Sequence, residues 1–126
     1  MARHATTTRG DMMKLGDKGE GLAVKFLKKK GYQIITQNYK TRIGEIDIIA
    51  KEGDTLVFIE VKTRESIAYG KPFEAVNYFK KRKIANVAML YLKKLEEIPP
   101  CRFDVVSICY EQGRPDCELI KDAFEV

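Results

Sequence analysis

The chain holds one histidine, His4, and three cysteines, Cys101, Cys109 and Cys117, spaced eight residues apart with no Cys-x-x-Cys pair. That inventory supports neither a zinc site nor nucleophilic catalysis of the Ser-His-Asp or Cys-His kind, and the thiols read as small buried hydrophobes. Any chemistry falls to carboxylates and amines. Two apolar stretches carry such groups at strand spacing, Glu45-Ile46-Asp47-Ile48-Ile49-Ala50 and Leu56-Val57-Phe58-Ile59-Glu60-Val61-Lys62. Side chains alternate along a strand, so Glu45, Asp47 and Ile49 share one face, opposed by Ile46, Ile48 and Ala50, while Phe58, Glu60 and Lys62 share a face of the next strand. Glu52-Gly53-Asp54 supplies the turn. A hairpin closed there by a two- or four-residue loop sets Asp47 directly across from Glu60. Opposed Cβ atoms lie about 4.5–5.5 Å apart, and like charges at that spacing destabilise a sheet. A cation between them turns the penalty into a site. Two hard carboxylate oxygens, with a strand carbonyl and water, suit Mg²⁺ or Mn²⁺, and Lys62 beside them could orient a water or offset charge on a phosphoryl transition state. The plainer alternative pairs each acid with a base, Lys62 foremost, on a solvated sheet face. The apolar runs that the acids interrupt argue instead for central strands.

The elements that must position these groups follow from pattern and length. At 126 residues, with 44% apolar and 33% charged, the chain fits one globular domain with a core of its own. No stretch approaches the roughly 20 apolar residues of a membrane span, and no signal-peptide centre is present, so a soluble cytoplasmic protein is expected. Residues 1–11 are polar and without period, which predicts a disordered tail ahead of a single domain over 12–126. From Met13 to Lys30, Leu15, Leu22, Ala23, Phe26 and Leu27 recur at helical spacing and Gly31 supplies the stop. Gly16, Gly19 and Gly21 each cost about 1 kcal/mol in a helix. Either the helix begins late or something approaches its backbone closely. Glu20 falls at the border of the apolar face, within reach of the same site. Strands are expected over Tyr32–Tyr39, Ile43–Lys51 and Thr55–Thr63, as a meander, then a polar loop over 64–71. Pro72 opens a second helical region through Val76, Lys80, Ile84, Val87, Ala88, Tyr91, Leu92 and Leu95, ended by Pro99-Pro100. Arg102–Tyr110 reads as a strand and Glu118–Val126 as an edge strand after a turn at Gly113-Arg114-Pro115-Asp116. The order α-β-β-β-α-β-β describes an α/β protein.

The net charge of +5 conceals a polar chain. Residues 1–95 carry 20 bases and 10 acids, whereas residues 96–126 carry 3 and 8. Two segments concentrate the excess: 25–42 holds six bases and no acid, and 71–94 holds seven bases against Glu74. Such blocks suit a polyanion, most simply the phosphates of nucleic acid. Solvated helix surface is the competing reading, and Lys28-Lys29-Lys30 at a helix end complements the helix dipole in any case.

Gly19-Glu20, Asn38-Tyr39, Gly44-Glu45-Ile46-Asp47, Phe58-Ile59-Glu60-Val61-Lys62-Thr63-Arg64, Gly70-Lys71-Pro72 and Arg102-Phe103-Asp104-Val105-Val106 together resemble the bacterial YraN-like proteins over about residues 16–110. That family looks like a branch of the PD-(D/E)xK nuclease superfamily, with a restriction-endonuclease-like fold, a mixed central sheet flanked by helices, akin to archaeal Holliday-junction resolvases. The resemblance implies that Asp47, Glu60 and the Val61 carbonyl bind Mg²⁺ or Mn²⁺, that Lys62 positions the attacking water, and that Glu20 is the helix carboxylate. Ile46 stands where the superfamily's name has proline. The implied activity is metal-dependent DNA cleavage, of branched or structured DNA in repair, recombination or uptake, with a homodimer as the implied assembly. Lys40, Arg42, Arg64, Lys80, Lys81, Arg82 and Lys83 would then grip flanking phosphates, and loop 64–71 could close over the DNA. The alternative is a non-catalytic nucleic-acid-binding protein that keeps a nuclease-like fold. No helix-turn-helix, zinc-finger or RNA-binding aromatic motif is present, so recognition of shape is expected rather than of base sequence.

Overall fold

The computed structural model describes residues 8–64 and 78–124. Helix α1 (Thr8–Lys29) starts inside the stretch expected to be an unstructured tail. It ends on Gly31 (φ 94°), where the Tyr32 amide donates to the Leu27 carbonyl and the Gly31 amide to that of Lys28. This double closure needs a left-handed residue, which glycine adopts without strain. Strands β1 (Gln33–Thr41), β2 (Gly44–Glu52) and β3 (Thr55–Arg64) follow, then helix α2 (Tyr78–Leu92), β4 (Cys101–Glu111) and β5 (Arg114–Ile120). The expected loop beyond Arg64, Pro72 and Val76 lie outside the described residues.

The five strands form one mixed sheet in the order β1-β2-β3-β4-β5. The first three make the expected antiparallel meander, β4 runs parallel to β3, and β5 returns antiparallel to β4. The turn before β5 falls at Gln112-Gly113, both at positive φ, rather than over residues 113–116. Two such residues in succession make the tight turn whose twist suits a hairpin. Pro115 therefore lies in the edge strand, opposite Tyr110, where a missing amide is tolerated. The edge strand ends at Ile120, short of the expected Val126.

Each helix covers one face of the sheet. Ala23 and Leu27 of α1 pack on Ile48, Ala50, Val57, Ile59, Val106 and Ile108. Ile84, Val87, Ala88 and Leu92 of α2 pack on the opposite face, with Ile49, Leu56, Phe58 and Val105. Gly19 lies so close to β3 that an added Cβ would collide with the Thr63 hydroxyl, which explains one glycine inside a helix. No helix among the described residues is long and apolar enough to cross a membrane.

Candidate active site

The β2–β3 ladder starts at the turn with Glu52 opposite Thr55 and runs to Ile48 opposite Ile59. There it stops. The expected backbone pairing of Asp47 with Glu60 is replaced by a side-chain contact, in which the Val61 amide donates to Asp47 Oδ2 at 2.8 Å. Simple alternation fails at the same point, since Ile46 packs with the α2-side cluster and Ile48 with the α1-side cluster. Asn38 on the neighbouring strand adopts a left-handed conformation (φ 53°), and the ladder passes from Gln37–Ile48 to Tyr39–Ile46 without pairing it to Asp47. The strands part around Asp47, and a hollow opens between them and α2.

That hollow, about 420 Å³, is lined by Gly44, Glu45, Asp47, Glu60, Val61, Lys62, Lys80, Lys83 and Ile84. Glu60 is 8% exposed. Its Oε2 lies 2.7 Å from Lys80 Nζ and 3.4 Å from Lys62 Nζ. Asp47 is less well neutralised, although its charge helps to raise the pKa of Lys80: burial first, then the charge of Glu60, drives the Asp47 pKa up to about 7 despite the Val61 amide, with Glu20 and Glu45 adding to the rise. Burial holds the Lys62 ammonium below the ordinary lysine value against the pull of Glu60. Lys80, though burial opposes its charge, ends above that value because it hydrogen-bonds Glu60.

Asp47, Glu60, Val61 and Lys62 therefore line one hollow, without the direct Asp47–Glu60 pairing that their spacing suggests. Glu20 acts on Asp47 electrostatically from α1 but does not line the hollow. Lys80 and Lys83, one helical turn apart, face it together. Lys83 also closes an adjoining hollow with Lys40, Thr41, Arg42, Ile43, Gly44 and Glu45. Lys81 turns away, its ammonium 5.6 Å from the Phe124 ring centre. Arg82 is exposed and Arg64 half-buried at the end of β3, and neither lines these hollows. The pairing of Lys80 with Glu60 is the contact that strand spacing alone does not reveal, because it joins β3 to the crossover helix that follows it.

Among the described residues no group of three His, Cys, Asp or Glu side chains is arranged to hold a metal ion. Two carboxylates with a backbone carbonyl nonetheless match Mg²⁺, which keeps several waters and is usually bound through one or two carboxylates plus substrate phosphate. The Val61 amide donates to Asp47 Oδ2, and both lysine ion pairs are made to Glu60 Oε2.

A second polar cluster was missed in the sequence. Asp104, fully buried on β4, accepts hydrogen bonds from the Tyr32 hydroxyl (2.8 Å), from Arg102 Nε and Nη2 (2.9 and 3.0 Å) and from the Asp122 amide (2.9 Å). Arg102 also reaches Glu52 Oε1 at 2.7 Å, and Lys121 reaches Glu52 Oε2 at 2.8 Å. Arg102 and Asp104, two apart in an otherwise apolar strand, carry the signal that could have found it.

The fold and this pair of acids define a mixed α/β protein, a five-stranded sheet between two helices, with a carboxylate–lysine site where two strands part. Residues 19–108 match the model of the uncharacterised protein family UPF0102, and the chain belongs to that family. It is 50% identical over 113 residues to a UPF0102 protein of Symbiobacterium thermophilum, covering 88% of this chain and 96% of the relative. Identity to a UPF0102 protein of Geobacter metallireducens is 48% over 113 residues, covering 89% and 93% of the two chains. A UPF0102 protein of Thermodesulfovibrio yellowstonii is 48% identical over 112 residues, with coverage of 89% and 96%.

Proposed function

We propose that this chain is a metal-dependent DNA endonuclease of the PD-(D/E)xK superfamily with a restriction-endonuclease-like fold. The observation that carries the reading is the parting of β2 and β3, where Asp47 and Glu60 line one hollow beside Lys62, bordered by Lys80 and Lys83. Acids held this close, with one of them at a pKa of about 7, gain nothing for the fold. Such an arrangement is expected where function demands it.

Asp47 and Glu60, with the Val61 carbonyl, would hold Mg²⁺ or Mn²⁺, and Glu20 would assist through a water. When bound, the cation would supply Lewis-acid polarisation of a phosphodiester. Lys62 orients a water toward phosphorus. The new P–O bond forms as the P–O3′ bond breaks, leaving 5′-phosphate and 3′-hydroxyl ends. Lys83, with Lys40 and Arg42 in the adjoining hollow, provides positive charge for the flanking phosphates. Shape-selected substrates such as junctions or flaps fit a surface without base-reading motifs.

One observation favours a second reading. Glu60 is already neutralised by two lysines, as in a site that binds nucleic acid without cutting it. Incubation with supercoiled plasmid, a four-way junction, a flap, single-stranded DNA and RNA, each in Mg²⁺, Mn²⁺ or EDTA, separates the two. Metal-dependent cutting of at least one substrate is expected. Absence of cutting by protein shown to bind the same substrates would leave the binding reading in its place.

A further inference from the structure

We infer that Lys80 is a resident counter-cation, which holds Glu60 while no divalent ion is present and must be displaced for one to bind. The inference rests on the metal-dependent reading above. Lys80 Nζ is 2.7 Å from Glu60 Oε2, against 3.4 Å for Lys62, so Lys80 makes the tighter of the two ion pairs. The partners differ in exposure. The Glu60 side chain is 9% exposed on β3, opposite Val105 of β4, whereas that of Lys80 is 39% exposed on α2. Lys62 is bound to the same strand as Glu60 and only 19% exposed. A divalent cation and two ammoniums crowded on one carboxylate repel strongly at such distances. The group placed to yield is the more exposed of the two, the four-carbon arm of Lys80, which also borders the hollow that a phosphate would enter. Cation binding thus turns an internal ion pair into an available positive charge, which couples metal binding to phosphate binding in both directions.

Mn²⁺ titration of the full chain, followed by the electron paramagnetic resonance of the free ion at fixed ionic strength, tests this without reference to cleavage. Lys80→Met should tighten Mn²⁺ binding about three- to tenfold, a range set by the modest strength of a part-exposed pair. Lys80→Arg should bind as the unaltered protein does. Lys83→Met, which removes a charge from the same hollow but not from Glu60, should change binding by less than about twofold; it controls for the general field. Glu60→Gln should weaken binding at least tenfold. If Glu60→Gln weakens binding while Lys80→Met matches Lys83→Met, the Lys80 inference is wrong and the metal reading stands. If Glu60→Gln leaves binding unchanged, or the protein binds no Mn²⁺, both fall. Lys80→Gln carries the same expectation should Lys80→Met fail to fold in a urea melt.

Discussion

Asp104 accepts hydrogen bonds from a tyrosine hydroxyl, a guanidinium and a backbone amide, while Asp47, two strands away on β2, accepts from the Val61 amide and faces the charges of Glu60, Glu20 and Glu45. Around Asp104 the charges lock together. Acceptance by Asp104 drives the Arg102 pKa upward, burial and the same carboxylate drive that of Tyr32 upward, and Lys121 and then Arg102 pull that of Glu52 down. Around Asp47 the acids are assembled against one another, and the two lysines make their ion pairs with Glu60. A buried carboxylate whose hydrogen bonds are complete serves the fold, and one held against like charges costs it stability. The contrast separates a cluster that stabilises the fold from one that opposes it.

That contrast is broken first by activity. Glu60→Gln and Lys62→Met should lower metal-dependent cleavage roughly 10²–10³-fold with DNA binding nearly retained, measured as initial rates on whichever substrate is cut. Lys121→Ala, in the other cluster, should leave the rate within about twofold. Equal loss in all three variants would erase the distinction. Stability should behave in the opposite sense. Asp104→Ala leaves Arg102 and Tyr32 without their shared acceptor and should cost about 3–5 kcal/mol in urea denaturation.

A pH series sharpens the comparison further. Asp47 titrates near 7 in the folded protein against an ordinary 3.8, so the folded state retains its proton between those values. The cost of Asp47 is absent below pH 4, grows as pH rises toward 7, and is complete above it. In EDTA, Asp47→Asn, which keeps an acceptor for the Val61 amide, should therefore stabilise the protein by about 2 kcal/mol at pH 8 and hardly at all at pH 4. Glu52 has the reverse sign. Its lowered pKa gives stability present above its ordinary 4.5 and lost as pH falls through the lower folded value. Glu52→Gln should destabilise at pH 7 and not at pH 3, by less than the Asp47→Asn gain, because the group is part-exposed.

Much of this was legible from local chemistry. The Gly53-Asp54 turn and strict strand alternation fix the β2–β3 register, so Glu52 meets Thr55 and Ile49 meets Phe58, and Glu60 and Lys62 share a face. Gly31 stops α1, and Gly19 marks a close approach. What alternation cannot foresee is a residue that breaks it. Asn38, at positive φ, and Asp47 are both skipped by the β1–β2 ladder, whose register is unchanged across them, and Asp47 reaches the Val61 amide instead of pairing with Glu60. Edge placement of Pro115 depends on a turn one step earlier than composition suggests. The Lys80–Glu60 contact joins a strand to the crossover helix and the Tyr32–Asp104 contact spans some seventy residues of chain, separations over which spacing carries no information.

The hydrogen bond from Val61 to Asp47 gives the molecule an internal indicator. A ladder amide that ordinarily senses only its partner strand here senses a carboxylate, so its proton resonance should move when Asp47 gains a proton or a cation. One backbone signal, resolved by ¹⁵N labelling, would then read out the state of the site in solution, with no substrate and no reaction required.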